Sequence, residues 1–216
     1  MNTIIISIHT NNFTFISICI SLLIISILYG FYYKYSKQFF LSAFVQRHAN
    51  QYLRDENIFK KRVSIFFSLL KVMNITIFIW TFFYSSDGDI LIFIKILSFV
   101  MIYYFIKYVC ISLLGYLFKK TQIASLTLFF TNLYDKILSL FLFPLLVLSN
   151  FFIIEITHLL FPAGLILILG FFILKIYWLS IIGIKSFGLS RFYLFIYICL
   201  LEFFPILLIV KRAILI

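Results

Sequence analysis

A chain of 216 residues that is 64% hydrophobic and 12% charged, with a mean hydropathy of +1.16, falls outside the range of soluble domains, which average about 45–50% apolar and about 25% charged residues. One oversized core does not account for the excess, because the apolar residues fall into separate runs near the ~20 residues that cross a bilayer as a helix. The net charge of +11 would raise nucleic acid as a partner in a soluble protein; in an apolar chain it is a topology signal, since cytoplasmic loops collect Lys and Arg, and no nucleic-acid partner is expected.

The first run, Phe13 to Tyr33, has no basic segment before it and Lys34 where a small-residue cleavage site would stand, so it is expected to be a retained span and not a signal peptide. A basic loop follows with Lys34, Lys37, Arg47, Arg54, Lys60, Lys61 and Arg62. Within it, Phe40, Leu41, Phe44, Val45 and Tyr52 recur at helical spacing, with Gln46, Arg47, Asn50 and Arg54 on the other side. Residues Phe39 to Phe59 are therefore expected to form an amphipathic helix on anionic headgroups, with Arg47, Arg54, Lys60, Lys61 and Arg62 as a basic cytoplasmic surface.

The second span is Val63 to Tyr84, and the turn Ser85-Ser86-Asp87-Gly88-Asp89 carries no base, which makes it external. The third span, Ile90 to Phe118, returns the chain to Lys119 and Lys120. Thr121 to Lys136 opens on an N-cap and is read either as a second interfacial helix or as the first turns of a longer fourth span. The remaining spans are Ile137 to Ile154, Ala163 to Gly183 and Phe192 to Val210, with Glu155 to Pro162 outside and Lys185 and Arg191 inside. With Lys136 also inside, this arrangement puts 12 of the 18 bases on the cytoplasmic side. Lys211 and Arg212 at the outer end of the last span break the rule and keep a five-span or re-entrant alternative open.

The runs lack the two-residue alternation of an outer-membrane barrel, and helices are the other way to satisfy every backbone group in hydrocarbon. The expected fold is an all-α, polytopic transmembrane bundle of about six spans. With no internal repeat and no Pro, Ser or Gly linker, residues 1–216 are read as a single domain. Tyr32, Tyr33, Trp80 and Tyr84 lie near span ends, where aromatic belts form.

Ionisable groups inside the spans are the anomalies. A Lys or Asp at the centre of a span costs roughly 2.5–3.5 kcal/mol on insertion scales, against a gain of roughly 0.3–0.6 for each large apolar residue. Lys71, Lys95, Lys107, Lys175 and Glu202 are intramembrane on this reading. Lys95, near an external end, is expected to reach the headgroups along its own stem. At about 1.5 Å per helical residue, Lys71, Lys107, Lys175 and Glu202 stand about 12 to 17 Å from the cytoplasmic ends of their spans, one layer near the midplane. Three arrangements satisfy them: snorkelling of Lys71 and Lys175 with a Lys107–Glu202 ion pair; a polar cavity that holds an anion such as a lipid phosphate; or pairing with a carboxylate of another subunit. Pro205, three residues after Glu202, frees a carbonyl one turn earlier and bends the helix beside the acid. Pro144 is expected to do the same in the fourth span, and Pro162 to stand at the entrance of the fifth.

Enzyme chemistry finds little support. His9, His48 and His158 lie in three different segments, and no HExxH, GxSxG, paired-Asp or phosphate-loop motif occurs. Cys19, Cys110 and Cys199 are inside apolar runs without CxxC spacing and are read as buried, inert thiols. Neither catalytic residues, nor a metal site, nor a cofactor is expected.

The stretch Ser190 to Leu208 resembles the closing signature of an uncharacterised multi-pass family of Bacteroidota, an aromatic-rich helix reading Tyr-x-Cys-x-Leu-Glu-x-x-Pro before aliphatics and a base. Tyr197, Cys199, Leu201, Glu202, Pro205 and Lys211 carry the likeness. The resemblance implies an inner-membrane protein of a Gram-negative bacterium and marks Arg191, Glu202 and Pro205 as motif residues. The leading functional expectation is a non-enzymatic component that packs against other envelope proteins; the alternative is a small transporter or lipid-binding protein that holds an anionic ligand through Lys71, Lys107, Lys175 and Glu202. The topology makes a direct prediction: alkaline phosphatase fused after Asp87 is active outside the cell, and the same reporter fused after Arg54 is inactive.

Overall fold

The computed structural model describes residues 12–44, 58–83, 90–117, 119, 121–151 and 154–187. Every regular element among them is an α-helix: α1 (Asn12–Phe31), α2 (Tyr33–Phe44), α3 (Ile58–Phe83), α4 (Ile90–Leu117), α5 (Thr121–Phe151) and α6 (Ile154–Phe187). Five hold stretches long and apolar enough to cross a membrane, at Phe13–Phe31, Lys61–Phe83, Ile90–Leu117, Ala124–Phe151 and Leu159–Trp178. The expected sixth span, Phe192 to Val210, lies outside the described residues, as do residues 45–57 of the expected amphipathic helix.

Of the two readings of Thr121 to Lys136, the structure has the second: the stretch forms the opening turns of α5, which runs on to Phe151. One expected boundary is corrected. Residues Glu155 to Pro162, expected as an outer loop, belong to α6, and Pro162 lies inside that helix, not at its entrance. A proline removes one helical donor and crowds one carbonyl, and with Pro162 on the exposed side the helix continues past it. Pro144 is likewise exposed and internal to α5.

The first span also ends differently. Tyr32 donates its N–H to the Leu28 carbonyl at 3.2 Å, and Ser36 donates its N–H to the Tyr32 carbonyl at 2.9 Å. The Ser36 hydroxyl donates as well to the Leu28 carbonyl, at 3.2 Å. Eight residues of straight helix would separate those two by about 12 Å along the axis, so the chain turns sharply at Tyr32. Beyond this elbow, α2 buries Ser36, Phe39, Ser42 and Ala43 at helical spacing and turns Lys34 and Lys37 outward.

The described chain forms two compact units, residues 1–100 with 133–169, and residues 101–132 with 170–216. In the first unit the directions of the helices follow from who meets whom. Phe15 of α1 meets Phe151 of α5 at 6.0 Å, while Tyr32 just past the other end of α1 meets Phe59 and Phe66 near the start of α3; α1 therefore runs against both α3 and α5. Helices α3 and α5 run parallel, because Ser64 meets Lys136 early and Thr81 meets Asn150 late. Phe82 and Phe83 of α3 pack on Phe161, and Phe78 lies against Gly164, so α6 runs back along α3.

Fully buried Ile18, Leu28, Leu70, Ile77, Trp80, Leu133, Ile137, Leu142 and Leu146 fill this unit. Trp80, expected in an interfacial belt, is a core residue packed edge-on against Phe93 at 5.8 Å. Cys19, expected to be buried, faces outward from α1. In the second unit Lys107, Ile111 and Gly115 form a buried stripe on α4 at four-residue spacing, opposite outward-facing Phe105, Tyr108 and Tyr116. Helix α4 closes on Lys119, which has a positive φ of 52° and donates its N–H to the Tyr116 carbonyl at 3.0 Å. That left-handed position ends many helices and favours glycine.

Gly164 offers a test of the α3–α6 packing. A Cβ there would stand 2.6 Å from Cε2 of Phe78, whose ring is held between Phe82 and Phe161. Gly164→Ala is expected to lower stability in detergent by about 1–3 kcal/mol, and adding Phe78→Leu to recover part of the loss.

Candidate functional site

The polar side chains of the first unit converge between α3 and α5. On α3, residues 64, 67, 71, 74, 78 and 81 repeat every three or four positions and share one face. That face carries Ser64, Lys71, Asn74 and Thr81 among its apolar members. It meets a face of α5 that bears Lys136, Ser139 and Asn150.

The register is set by one hydrogen bond. Asn74 Nδ2 donates to the backbone carbonyl of Ser139 at 2.8 Å, and Asn74 is 0% exposed. On parallel helices equal offsets stay level, so three residues back from this pair Lys71 stands opposite Lys136. Both lysines are buried, 4% and 5% exposed. The Lys136 ammonium reaches toward the N-terminal end of α3 and donates to Ser64 Oγ at 2.7 Å, and it lies 5.8 Å from the ring centroid of Phe39. Phe39 stacks on Phe67 at 4.7 Å, which brings α2 over the same ammonium. A buried cation over an aromatic face gains part of the electrostatic stabilisation that it lost with water.

Lys71 and Asp135 are the charged groups that act electrostatically on Lys136. Asp135, half-buried, is the one acidic residue of the chain whose side chain is described. Next to it, Tyr134 donates its hydroxyl proton to the Ala43 carbonyl at 2.9 Å, tying α5 to α2. Ser139 turns its own hydroxyl back to the Lys136 carbonyl at 2.7 Å, so the pinned stretch of α5 is braced from within. The result is a buried polar compartment between α3 and α5 with two lysine side chains, the Ser64 and Ser139 hydroxyls and the Asn74 amide, within membrane-spanning helices.

Of the residues singled out from sequence, Lys71 is at the centre of this compartment. Lys107 and Lys175 lie in the second unit, 5% and 3% exposed, with the Lys107 ammonium 5.8 Å from the Tyr103 ring centroid one turn back on α4. Lys95 is exposed on α4. Lys61 and Arg62 are exposed in the first turns of α3, and Lys60 lies in the same turns. Arg47, Arg54, Arg191, Glu202 and Pro205 lie outside the described residues, as do His9 and His48. Among the described residues no three His, Cys, Asp or Glu side chains come together as metal ligands.

Lys136, Asn74, Ser139 and Tyr134 are site residues that sequence reasoning passed over. The sequence reading counts Lys136, at the mouth of the fourth span, among the cytoplasmic bases, whereas the structure buries it. The available signal was the uninterrupted helical pattern from the N-cap at Thr121 through Phe130, Leu133 and Ile137, which carries Lys136 into the span. Asn74 gave no signal beyond being an uncharged amide inside an apolar run.

Helices of this length, with lysines sunk among them, define a multi-pass helical membrane protein. The chain belongs to the family described as Domain of unknown function (DUF4271), whose model matches residues 13–212. No curated protein and no solved structure matches the chain.

The α2–α5 tie can be measured. Tyr134→Phe removes one donor while keeping the ring, and is expected to cost about 1 kcal/mol of stability with helix content unchanged in circular dichroism.

Proposed function

We propose that this protein is a non-enzymatic, multi-pass component of a bacterial inner membrane that holds an anionic ligand through its intramembrane lysines, as a small transporter or a lipid-binding protein. The observation that carries this reading is the placement of Lys71 opposite Lys136 in a buried compartment. Two ammonium groups brought level at membrane depth repel one another, and the desolvation cost of each is offset only by counter-charge and hydrogen bonds. Asp135 acts electrostatically on Lys136, and basic side chains gathered at membrane depth favour the approach of an oxyanion. Lys107 and Lys175, buried in the second unit, extend the same chemistry. The likeness of residues 190–208 to a Bacteroidota family supports the inner membrane as the location, and anionic lipids are the partners nearest to hand.

Membership of a cell-envelope complex is the competing reading, and one preparation separates the two. Native mass spectrometry of the protein drawn gently from its own membrane is expected to find an enriched anionic lipid. Lys71→Met and Lys136→Met are each expected to reduce that enrichment at least about tenfold, the equivalent of one charge-assisted hydrogen bond. An unchanged lipid profile in both variants would sink the ligand reading, and a stoichiometric protein partner would favour the complex.

A further inference from the structure

The spans of α1 and α3 share one end. The first closes at Phe31 and the second opens at Lys61; because the two helices run against each other, both ends reach the same face of the membrane, and the elbow joins them there. Tyr32 packs on Phe59 at 6.4 Å and on Phe66 at 6.1 Å, and Tyr35 stacks on Phe59 at 5.6 Å. Phe59, Arg62 and Phe66 follow one another at three- and four-residue spacing, so Arg62 stands on the face of α3 that receives the elbow. Lys34 and Lys37, three residues apart, share the outer face of α2. A helix continued straight past Tyr32 would carry these two lysines off along its axis; the bend keeps them over the start of α3. Lys34, Lys37, Lys61 and Arg62 are all exposed, and the helices that meet here, α1 to α3, contain no Asp or Glu.

Aromatic rings beside these bases are turned outward as well. Tyr29, Phe31 and Tyr33 are 56%, 84% and 55% exposed, and the rings of Tyr29 and Tyr33 lie 6.1 Å apart across the bend. Water is a poor neighbour for bare rings, and hydrocarbon is a poor neighbour for cations. The layer that suits both is the interface, where aromatic side chains lie at headgroup level and Lys and Arg meet the phosphates of anionic lipids. We propose that the elbow and the start of α3 form a docking surface for anionic phospholipid headgroups, with Lys34, Lys37, Lys61 and Arg62 directed to the phosphates and Tyr29, Phe31 and Tyr33 set among the upper acyl chains. The sequence pattern put the headgroup-facing helix at Phe39 to Phe59; the structure turns Phe39 inward and offers the elbow, which that pattern did not include. This surface lies apart from the buried lysines and does not depend on the ligand reading given for them.

The test reads lipid contact at one residue. The full chain with the photo-cross-linking substitution Tyr33→benzoylphenylalanine is placed in vesicles of equal parts phosphatidylglycerol and phosphatidylcholine and irradiated, and the attached lipid is identified by mass spectrometry. Phe105→benzoylphenylalanine, at a position 68% exposed within the span of α4, reports ordinary lipid contact in a parallel sample. The ratio of phosphatidylglycerol to phosphatidylcholine adducts is expected to be at least about fivefold higher at position 33 than at position 105, the factor that one base near an anionic surface contributes. With Lys34→Gln, Lys37→Gln, Lys61→Gln and Arg62→Gln combined, all at exposed positions, the two ratios are expected to become equal. Salt at about 1 M, where the screening length is about 3 Å, is expected to lower the ratio at position 33 in the same direction. Equal ratios at the two positions with the four bases in place overturn the proposal, and so does an excess that survives their removal or the salt. Cross-linking of lipid at position 105 with none at position 33 overturns it in favour of a different occupant.

Discussion

The hydrogen bond from Asn74 to the Ser139 carbonyl holds the register on which the first unit depends. Inside a bilayer there is no hydrophobic drive between helices, because lipid is as apolar as leucine; close packing and interhelical hydrogen bonds must set which residues face each other. With α3 and α5 parallel, this bond makes Lys71 and Lys136 level neighbours. The Lys136–Ser64 and Asn150–Thr81 contacts on either side run in the same parallel sense. A slip of one turn would leave the amide, the hydroxyl and both lysines without the partners that this register supplies. Apolar packing reinforces the choice, since Leu70 and Ile77 lie beside the polar positions on α3 and Ile137 and Leu142 beside those on α5, all fully buried.

A second constraint shapes the elements around that pair. The chain bends at Tyr32, and α2 folds against α3 and α5, held by the Tyr134–Ala43 bond and the Phe39–Phe67 stack. The same arm sets an aromatic face near the Lys136 ammonium. Phe39, which opens the stretch that the sequence pattern assigns to an interfacial helix, is thereby used inside the protein, and the outer face of α2 is left to Lys34 and Lys37. The ring near the Lys136 ammonium is also part of the core.

Much of the candidate site was legible in part. Lys71 stood out because a lysine in the middle of an apolar run is costly wherever it points, and its burial follows from that cost. Lys136 did not stand out, because it closes the stretch Thr121 to Lys136, which the sequence leaves open between an interfacial helix and the start of a span. Asn74 and Ser139 were invisible for a different reason: an amide and a hydroxyl are tolerated in many spans, and only a partner helix at the right height makes a pin of them. Trp80 shows the converse, an aromatic near a span end whose place in the core was decided by Phe93 across the α3–α4 pair.

The amino-acid sequence by itself determined that this is a helical membrane protein, because runs of apolar residues of bilayer length leave no other way to satisfy the backbone. It also determined that lysines would lie within the spans, since their positions in those runs are read directly. Only the tertiary structure decided which lysines meet. Periodicity assigns a residue to a face of its own helix, but the pairing of faces depends on direction and register between helices distant in sequence. Here the Ser64–Lys136 and Thr81–Asn150 contacts give the direction, and a side-chain amide on α3 finding a carbonyl 65 positions later gives the register.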